Sequence, residues 1–188
     1  NEQLETKDWD LARKLLKRSG DLGLLGTDVP EEYGGYELDK VSSAIIAGTL
    51  GKSGSFSAAF GAHTGLTILP IRMFGTEAQK QRYFGAVVGG HIITNAYAER
   101  GTRIGGQITT TLKPDGNGYR LNGTKFYCTG SLIAEQFYVL IGTEGDGRTI
   151  AIVPGDREGL TIHDDWDAIG QRTTASGTVE FDHVAVAA

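Results

Sequence analysis

Tyr127 and Thr129 stand two residues apart near the end of DGNGYRLNGTKFYCTGS, residues 115 to 131. That run reads as a turn, a short strand, a tight turn at Asn122-Gly123 and a second strand leaving at Gly130. Alternation along the second strand sends Tyr127 and Thr129 to one face of the sheet and Cys128 to the other. A flat wall beside a hydrogen-bond donor is a seat for a flat cofactor with a polar edge. A core tyrosine followed by a strand threonine is the plainer reading of the same two residues.

Other chemistry is missing from the sequence. Gly20, Gly23 and Gly26 are too evenly placed for a dinucleotide fingerprint and do not join a strand to a helix. No phosphate loop ends in Gly-Lys-Ser/Thr, and no Gly-x-Ser-x-Gly elbow is present. His63, His91, His163 and His183 are scattered without metal-ligand spacing, and Cys128 is the single cysteine, so no metal site is expected. The net charge of −5 gives no electrostatic footprint for nucleic acid or for an anionic membrane. Apolar runs are broken well before the ~18 residues of a spanning helix. These features suit a soluble globular protein and are compatible with a cytoplasmic location. The chain begins at Asn1, and a piece of a longer protein is expected.

The elements that must carry the pair change period along the chain. Residues 8 to 18 place Trp9, Ala12, Leu15 and Leu16 on one helical stripe, with Asp8 as a cap and Gly20 as a stop. Residues 39 to 52 and 55 to 75 are mostly apolar and predict buried helices, the second ended or kinked at Pro70. Thr76 and Gln79 have capping-box spacing at the head of a helix that closes at Gly89-Gly90. After about residue 91, eight short β-rich runs follow, with Asp115-Gly116 and Asn122-Gly123 as hairpin turns. The expected fold is α+β: an N-terminal helical domain over residues 1–90, then an antiparallel β-barrel or sandwich over 91–188.

GLLGTDVPEEYGG, FGTEAQKQRYFGAVVGG, YRLNGTKFYCTG and GQRTTASGTVEFDHVAV, taken in this order, resemble the acyl-CoA dehydrogenase superfamily over nearly the whole chain. The resemblance implies its helical N-terminal domain and its middle β-domain, without the C-terminal helical bundle that members also carry. It further implies a flavin, as mononucleotide (FMN) or dinucleotide (FAD), and a homo-oligomer in the full-length protein. Tyr127 falls where members carry a tryptophan against the flavin ring, and Thr129 on the hydroxyl residue that hydrogen-bonds near flavin N5. The ring system is a broad apolar plane whose burial is favourable by ~25 cal/mol per Å². Its heteroatom edge needs partners, because an unpaired buried polar group costs ~1–3 kcal/mol.

The opposite wall is NAYAERGTRIGG, residues 95 to 106, which includes Asn95, Tyr97 and Ala98. Dehydrogenases read Thr-Glu-Pro-Gly-Ala-Gly-Ser-Asp here. Glu99 and Gly101 match, the threonine is replaced by Ala98, and the Gly-Ser-Asp tail is lost. Asn95, FYCTG and DDWDAIGQRTTASGTV resemble the flavin monooxygenase branch of the same fold, the dibenzothiophene monooxygenase and sulfur-acquisition type. That branch takes reduced flavin from a partner reductase and oxygenates a small sulfur compound. On this resemblance His63, Asn95 and Thr129 are the expected catalytic residues, and Asn95, Tyr97, Ala98, Tyr127, Thr129, Arg172 and Ser176 the flavin contacts. His63 and Asn95 also fit ordinary buried polar residues, Arg172 and Ser176 fit loop shaping, and Cys128 is expected to be inert core. The alternatives are an FAD-dependent acyl-CoA dehydrogenase that passes electrons to an electron-transfer flavoprotein, and an inactive fragment that binds flavin weakly.

Overall fold

The computed structural model describes residues 3–101, 108–143 and 147–187. Residues 102–106 of the stretch 95–106 lie outside these, as do residues 144–146, part of TEGDGR (143–148), which the sequence alone reads as a solvated turn. The chain divides into two compact units, Asn1–Ile93 with Asp167–Thr174, and Thr94–Trp166 with Ala175–Ala188.

The first unit is helical. Helix α1 (Trp9–Asp21) starts where the Asp8 carboxylate accepts the Leu11 N–H at 2.9 Å. It runs through Gly20 rather than stopping there, and the left-handed residue beyond it is Gly23. Gly20 serves a close approach instead: a Cβ there would lie 2.9 Å from the Gly90 Cα. Helix α2 (Lys40–Leu50) is capped by Asp39, but it buries none of its residues, and Val41 and Ile45 are exposed. The expectation of a buried α2 therefore fails, because apolar content without an apolar stripe does not say which side meets the core. Helices α3 (Gly54–Gly61) and α4 (Leu69–Phe74) are joined without a break by a π-helical stretch, Ala62–Ile68. Pro70 falls at the junction where the π-helical winding gives way to α4, and the helix continues through it to Phe74. Helix α5 (Glu77–Val88) carries the expected capping box of Thr76 and Gln79. The segment 167–174 returns to this unit through Glu5, whose carboxylate accepts the Arg172 N–H at 2.9 Å and the Ser55 hydroxyl at 2.6 Å.

The second unit holds a three-stranded sheet in the order β1-β4-β5 and a four-stranded sheet in the order β2-β3-β7-β6. The strands are β1 (Ile93–Ala96), β2 (Thr111–Asp115), β3 (Gly118–Cys128), β4 (Gln136–Gly142), β5 (Arg148–Pro154), β6 (Leu160–Ile162) and β7 (Gly177–Ala187). Strands β2 and β3 form the hairpin expected around Asp115-Gly116. No turn occurs at Asn122-Gly123; β3 is one strand of 11 residues. Gly123 sits at a bulge, with φ +153° and an imagined Cβ 2.6 Å from the Thr110 hydroxyl oxygen. The core is shared by both sheets: Ala96, Leu121, Phe137, Val139, Val153, Val179 and Phe181 belong to one buried cluster.

Gly177 opposes Cys128 across β3 and β7 and precedes Thr178. A Cβ at Gly177 would stand 2.2 Å from the His163 carbonyl oxygen and 2.9 Å from an Asp165 carboxylate oxygen. Gly177→Ala is therefore expected to cost about 1–3 kcal/mol of unfolding free energy, the range for overpacking. A urea melt with an unchanged slope and a lower midpoint would record it.

Candidate functional site

The exit of β3 is built by an irregularity. Lys125 pairs with Val179 and Cys128 with Gly177, so three steps on β3 face two on β7. Without that extra residue, Tyr127 would follow Leu121 and Lys125 toward the interior by simple alternation. The bulge gives the interior position to Cys128, which is fully buried, and leaves Tyr127 61 % exposed. An extra residue in β3 is what turns Tyr127 outward while Cys128 stays in the core. Tyr127 has φ +57°, an uncommon conformation for a bulky residue and one that costs about 1–3 kcal/mol. Burial pushes the Cys128 thiol up to about 12, so Cys128 is inert core.

Hydrogen bonds fix the residues after the bulge. The Thr129 N–H donates to the Tyr127 carbonyl at 2.9 Å, closing a three-residue turn. The Thr129 and Ser176 hydroxyls share a hydrogen bond of 2.9 Å, and the Thr94 hydroxyl donates to the Thr129 carbonyl. Thr129 is half-buried and Ser176 buried. Trp166 meets Tyr127 edge-on, with ring centroids 6.4 Å apart and planes at 88°. Asp165 holds the residue before Trp166 in place, since its carboxylate accepts the Thr178 N–H at 2.8 Å and the Thr178 hydroxyl at 2.6 Å. Burial opposes the charge on Asp165, but these bonds outweigh it and hold the carboxyl below its usual range.

Asn95 adjoins Thr94 on β1 and is 8 % exposed. Its side-chain oxygen is buried and has no hydrogen-bond partner among the described residues. Such an atom costs about 1–3 kcal/mol unless something fills the gap. The Tyr97 hydroxyl is pushed up to about 12 by burial and stays protonated at neutral pH. Ala98 is exposed, and its carbonyl accepts the Phe126 N–H at 2.9 Å. The structure thus brings Asn95, Tyr97, Ala98, Tyr127, Thr129 and Ser176 into one unit.

His63 and Arg172 belong to the helical unit. His63 lies in the π-helical stretch and is 1 % exposed. Its Nδ1 stands 3.1 Å from the Ile93 N–H and 3.2 Å from the Ile93 carbonyl, so either tautomer is held at that nitrogen. Arg172 pairs through Nη1 with Asp167 at 3.1 Å and donates to the Ala168 carbonyl at 3.1 Å, the loop-shaping arrangement.

Two features escaped the sequence reading. Trp166 is the second ring of the site, and the signal for it was the DDWD run just before the GQRTTASG loop. The other is a buried ion pair, Lys125 with Glu99, at 2.7 Å, with side chains 0 % and 4 % exposed. Period two had already aligned Lys125 with the core residue Leu121. Burial opposes the charge on Glu99, but donors from Lys125, Thr109 and Thr110 overcome it and hold the carboxyl down to about 2. A group depressed from 4.5 to about 2 adds stability above its unfolded value, and that stability is lost as pH falls. The acid melt is expected to lose about 3 kcal/mol between pH ~4.5 and ~2 from this residue. In Glu99→Gln that portion of the pH dependence should vanish.

Two family models match the chain in succession: the acyl-CoA dehydrogenase N-terminal domain over residues 1–91 and the acyl-CoA dehydrogenase middle domain over residues 93–184. The chain belongs to the acyl-CoA dehydrogenase family. A probable acyl-CoA dehydrogenase of Bacillus subtilis is 37% identical over 189 residues, covering 98% of this chain and 32% of the relative. A dibenzothiophene monooxygenase of Rhodococcus qingshengii is 34% identical over 183 residues, covering 93% of this chain and 42% of the relative. Among solved structures, an acyl-CoA dehydrogenase complexed with FAD from Bacillus anthracis superposes with a TM-score of 0.90 at 37% identity, covering 98% of this chain and 33% of that one. This acyl-CoA dehydrogenase family chain thus spans between about a third and under half the length of these relatives. Among its described residues no helix is long and apolar enough to cross a membrane, and no group of three acidic, histidine or cysteine side chains is placed to hold a metal.

Proposed function

We propose that this chain forms the flavin-binding part of a flavin-dependent oxidoreductase, and that the enzyme is a two-component monooxygenase acting on a small sulfur-containing substrate. The observation that carries the reading is the buried Asn95 oxygen with no partner among the described residues. It lies one residue from Thr94, whose hydroxyl is bonded to the strand exit. The residues fit a flavin: Tyr127 and Trp166 offer aromatic surface, Thr129 and Ser176 offer hydroxyls, and the Asn95 side-chain oxygen is a buried acceptor with no donor among the described residues.

When bound in reduced form, the flavin supplies two electrons to O₂, so that one oxygen atom goes to the sulfur centre and the other leaves as water. The chain's own work is orientation. Thr129, tethered by Ser176, presents a hydroxyl whose position is fixed before binding, which removes a reorganisation cost. Asn95 holds its amide in a desolvated place, where a hydrogen bond is stronger than in water. Tyr127 and Trp166 offer apolar ring surface that a bound flavin would cover, which would keep water from that face. His63 is the buried imidazole of the helical unit and the candidate proton carrier there. In this reading a separate reductase supplies reduced flavin, and the enzyme works as a homo-oligomer.

A desaturating acyl-CoA dehydrogenase is the second reading, and the 37% identity to a probable acyl-CoA dehydrogenase favours it. Ala98 weighs against it, because a methyl group replaces the hydroxyl that dehydrogenases use at that turn. One experiment separates the two. Supplied with chemically reduced FMN, ¹⁸O₂ and a panel of small thioethers and sulfinates, the protein is expected to place one ¹⁸O atom in product by mass spectrometry. Bleaching of bound FAD by an acyl-CoA without O₂, and no ¹⁸O incorporation, would reverse the order of the readings.

A further inference from the structure

We infer that Glu99 and Lys125 are positioning residues that lock the Asn95–Ala98 segment and the Tyr127 bulge into one rigid body, so that both walls of the flavin berth are set by one buried clamp. The inference rests on the flavin reading for its consequence but on geometry for its existence. Four separate ties join the two segments. The Phe126 N–H donates to the Ala98 carbonyl at 2.9 Å. Lys125 Nζ reaches Glu99 Oε1 at 2.7 Å and the Tyr97 carbonyl at 3.4 Å. The Arg100 guanidinium lies 4.3 Å from the centre of the Phe126 ring, within cation–π range.

Glu99 is itself held from a third side. One carboxylate oxygen accepts the Thr109 N–H at 2.8 Å and its hydroxyl at 2.5 Å. The other accepts the Thr110 N–H at 3.0 Å and its hydroxyl at 2.6 Å, besides Lys125. A carboxylate has about four lone-pair sites, so five donors saturate it and leave no alternative geometry. The ammonium group sits two residues before Tyr127, the residue whose φ is +57°. A bulge holding a bulky residue in that region persists only if its surroundings over-determine it. The clamp supplies that constraint at Lys125, and the Cys128–Gly177 pairing supplies it on the other side. Buried charge pairs are a poor source of net stability against apolar residues of equal volume. This pair inside the β unit is therefore better explained by a geometric demand than by a gain in unfolding free energy.

The test uses Glu99→Gln/Lys125→Met, which removes both charges and keeps both volumes, beside Thr110→Val, which removes one hydroxyl donor and keeps the pair. Both are compared with the unchanged 188-residue chain at a temperature well below each melting midpoint. Two signals are read: the near-ultraviolet circular dichroism of the Tyr127–Trp166 pair, and the dissociation constants for FMN and FAD. The expected result is a loss or inversion of the aromatic signal in the double variant and flavin affinity weakened about 10- to 100-fold, as for a site displaced by about 1 Å. Thr110→Val should move both in the same direction by a smaller amount. A double variant with a cooperative melt, the parent aromatic signal and the parent affinity would overturn the inference. If the double variant does not fold, Thr110→Val decides: parent values for both signals overturn it. If the parent chain binds no flavin, the flavin reading fails, and the aromatic signal alone still decides whether the clamp sets the bulge.

Discussion

Asn95→Ala is expected to lower oxygen transfer by about 10²-fold while changing flavin affinity far less. The amide is 8 % exposed and its oxygen has no partner among the described residues, so in the free chain it contributes a penalty rather than a bond. A ligand donor that reaches this oxygen gains an unused acceptor. Removing an acceptor from a desolvated centre leaves its donor partner unpaired, a cost of about 1–3 kcal/mol, or up to about 10²-fold. Truncation to alanine also removes the unsatisfied atom, so the variant should melt at the same temperature as the parent or slightly above it. That combination of undiminished stability and lost turnover separates a working amide from a structural one. Product yield per reduced flavin, measured with saturating flavin, is the readout. An Asn95→Ala enzyme with parental yield would return Asn95 to the role of an ordinary core amide.

The second large effect is expected from Lys125→Met. Methionine copies the length of the lysine stem but leaves the Glu99 carboxylate inside the β unit without its cation. Removing one partner of a buried pair is destabilising by about 3–5 kcal/mol, because the remaining charge has lost both water and counter-ion. Urea denaturation at pH 7 should show a lower midpoint with little change in slope. The deficit should shrink as the pH is lowered toward ~4, since a Glu99 without Lys125 keeps only the Thr109 and Thr110 donors against burial and takes up a proton more readily. A deficit below ~1 kcal/mol at pH 7 would place this pair with exposed ion pairs, whose removal costs little. Glu99→Gln/Lys125→Met should recover much of the loss, which is why the double variant serves to read geometry apart from stability.

The division of the fold was legible because helices and strands leave different periods. Asp8, Asp39 and the Thr76/Gln79 box each stand where a helix begins, and each caps it. What the period could not show is how a strand departs from it. Asn122-Gly123 has hairpin chemistry, yet the pair across β3 and β7 continues past it, and the glycine serves a bulge instead. Tyr127 and Thr129 were matched to one face by counting in twos, whereas an inserted residue between Lys125 and Cys128 is what turns the tyrosine outward. Bulges depend on the partner strand, so one strand's sequence does not contain them. The same holds for the π-helical stretch around His63, whose apolar content alone predicted an ordinary helix ended or kinked by Pro70. Lys125 was overlooked for a different reason: lysines are so seldom buried that a strand lysine reads as solvated. Its neighbour in the period, Leu121, belongs to the core all the same.

The return of 167–174 to the helical unit was also beyond the sequence. It depends on Glu5 meeting the Arg172 N–H across 167 positions of chain, and on the buried Thr173 N–H meeting the Ser55 hydroxyl at 3.3 Å. Neither residue type advertises a distant partner. Ser176, two residues past that segment, belongs to the β unit, where it shares its hydrogen bond with Thr129.

Fluorescence titration of FMN and FAD into the Trp9→Phe variant of the 188-residue chain tests the central claim most directly, since Trp166 is then the only tryptophan left to report. If Tyr127, Trp166, Thr129 and Asn95 line a flavin berth, Trp166 emission should be quenched saturably, and Thr129→Val should weaken the binding about 10-fold, or ~1.4 kcal/mol. A folded chain whose Trp166 emission does not saturate with either flavin, or saturates identically with Thr129→Val, would contradict the account.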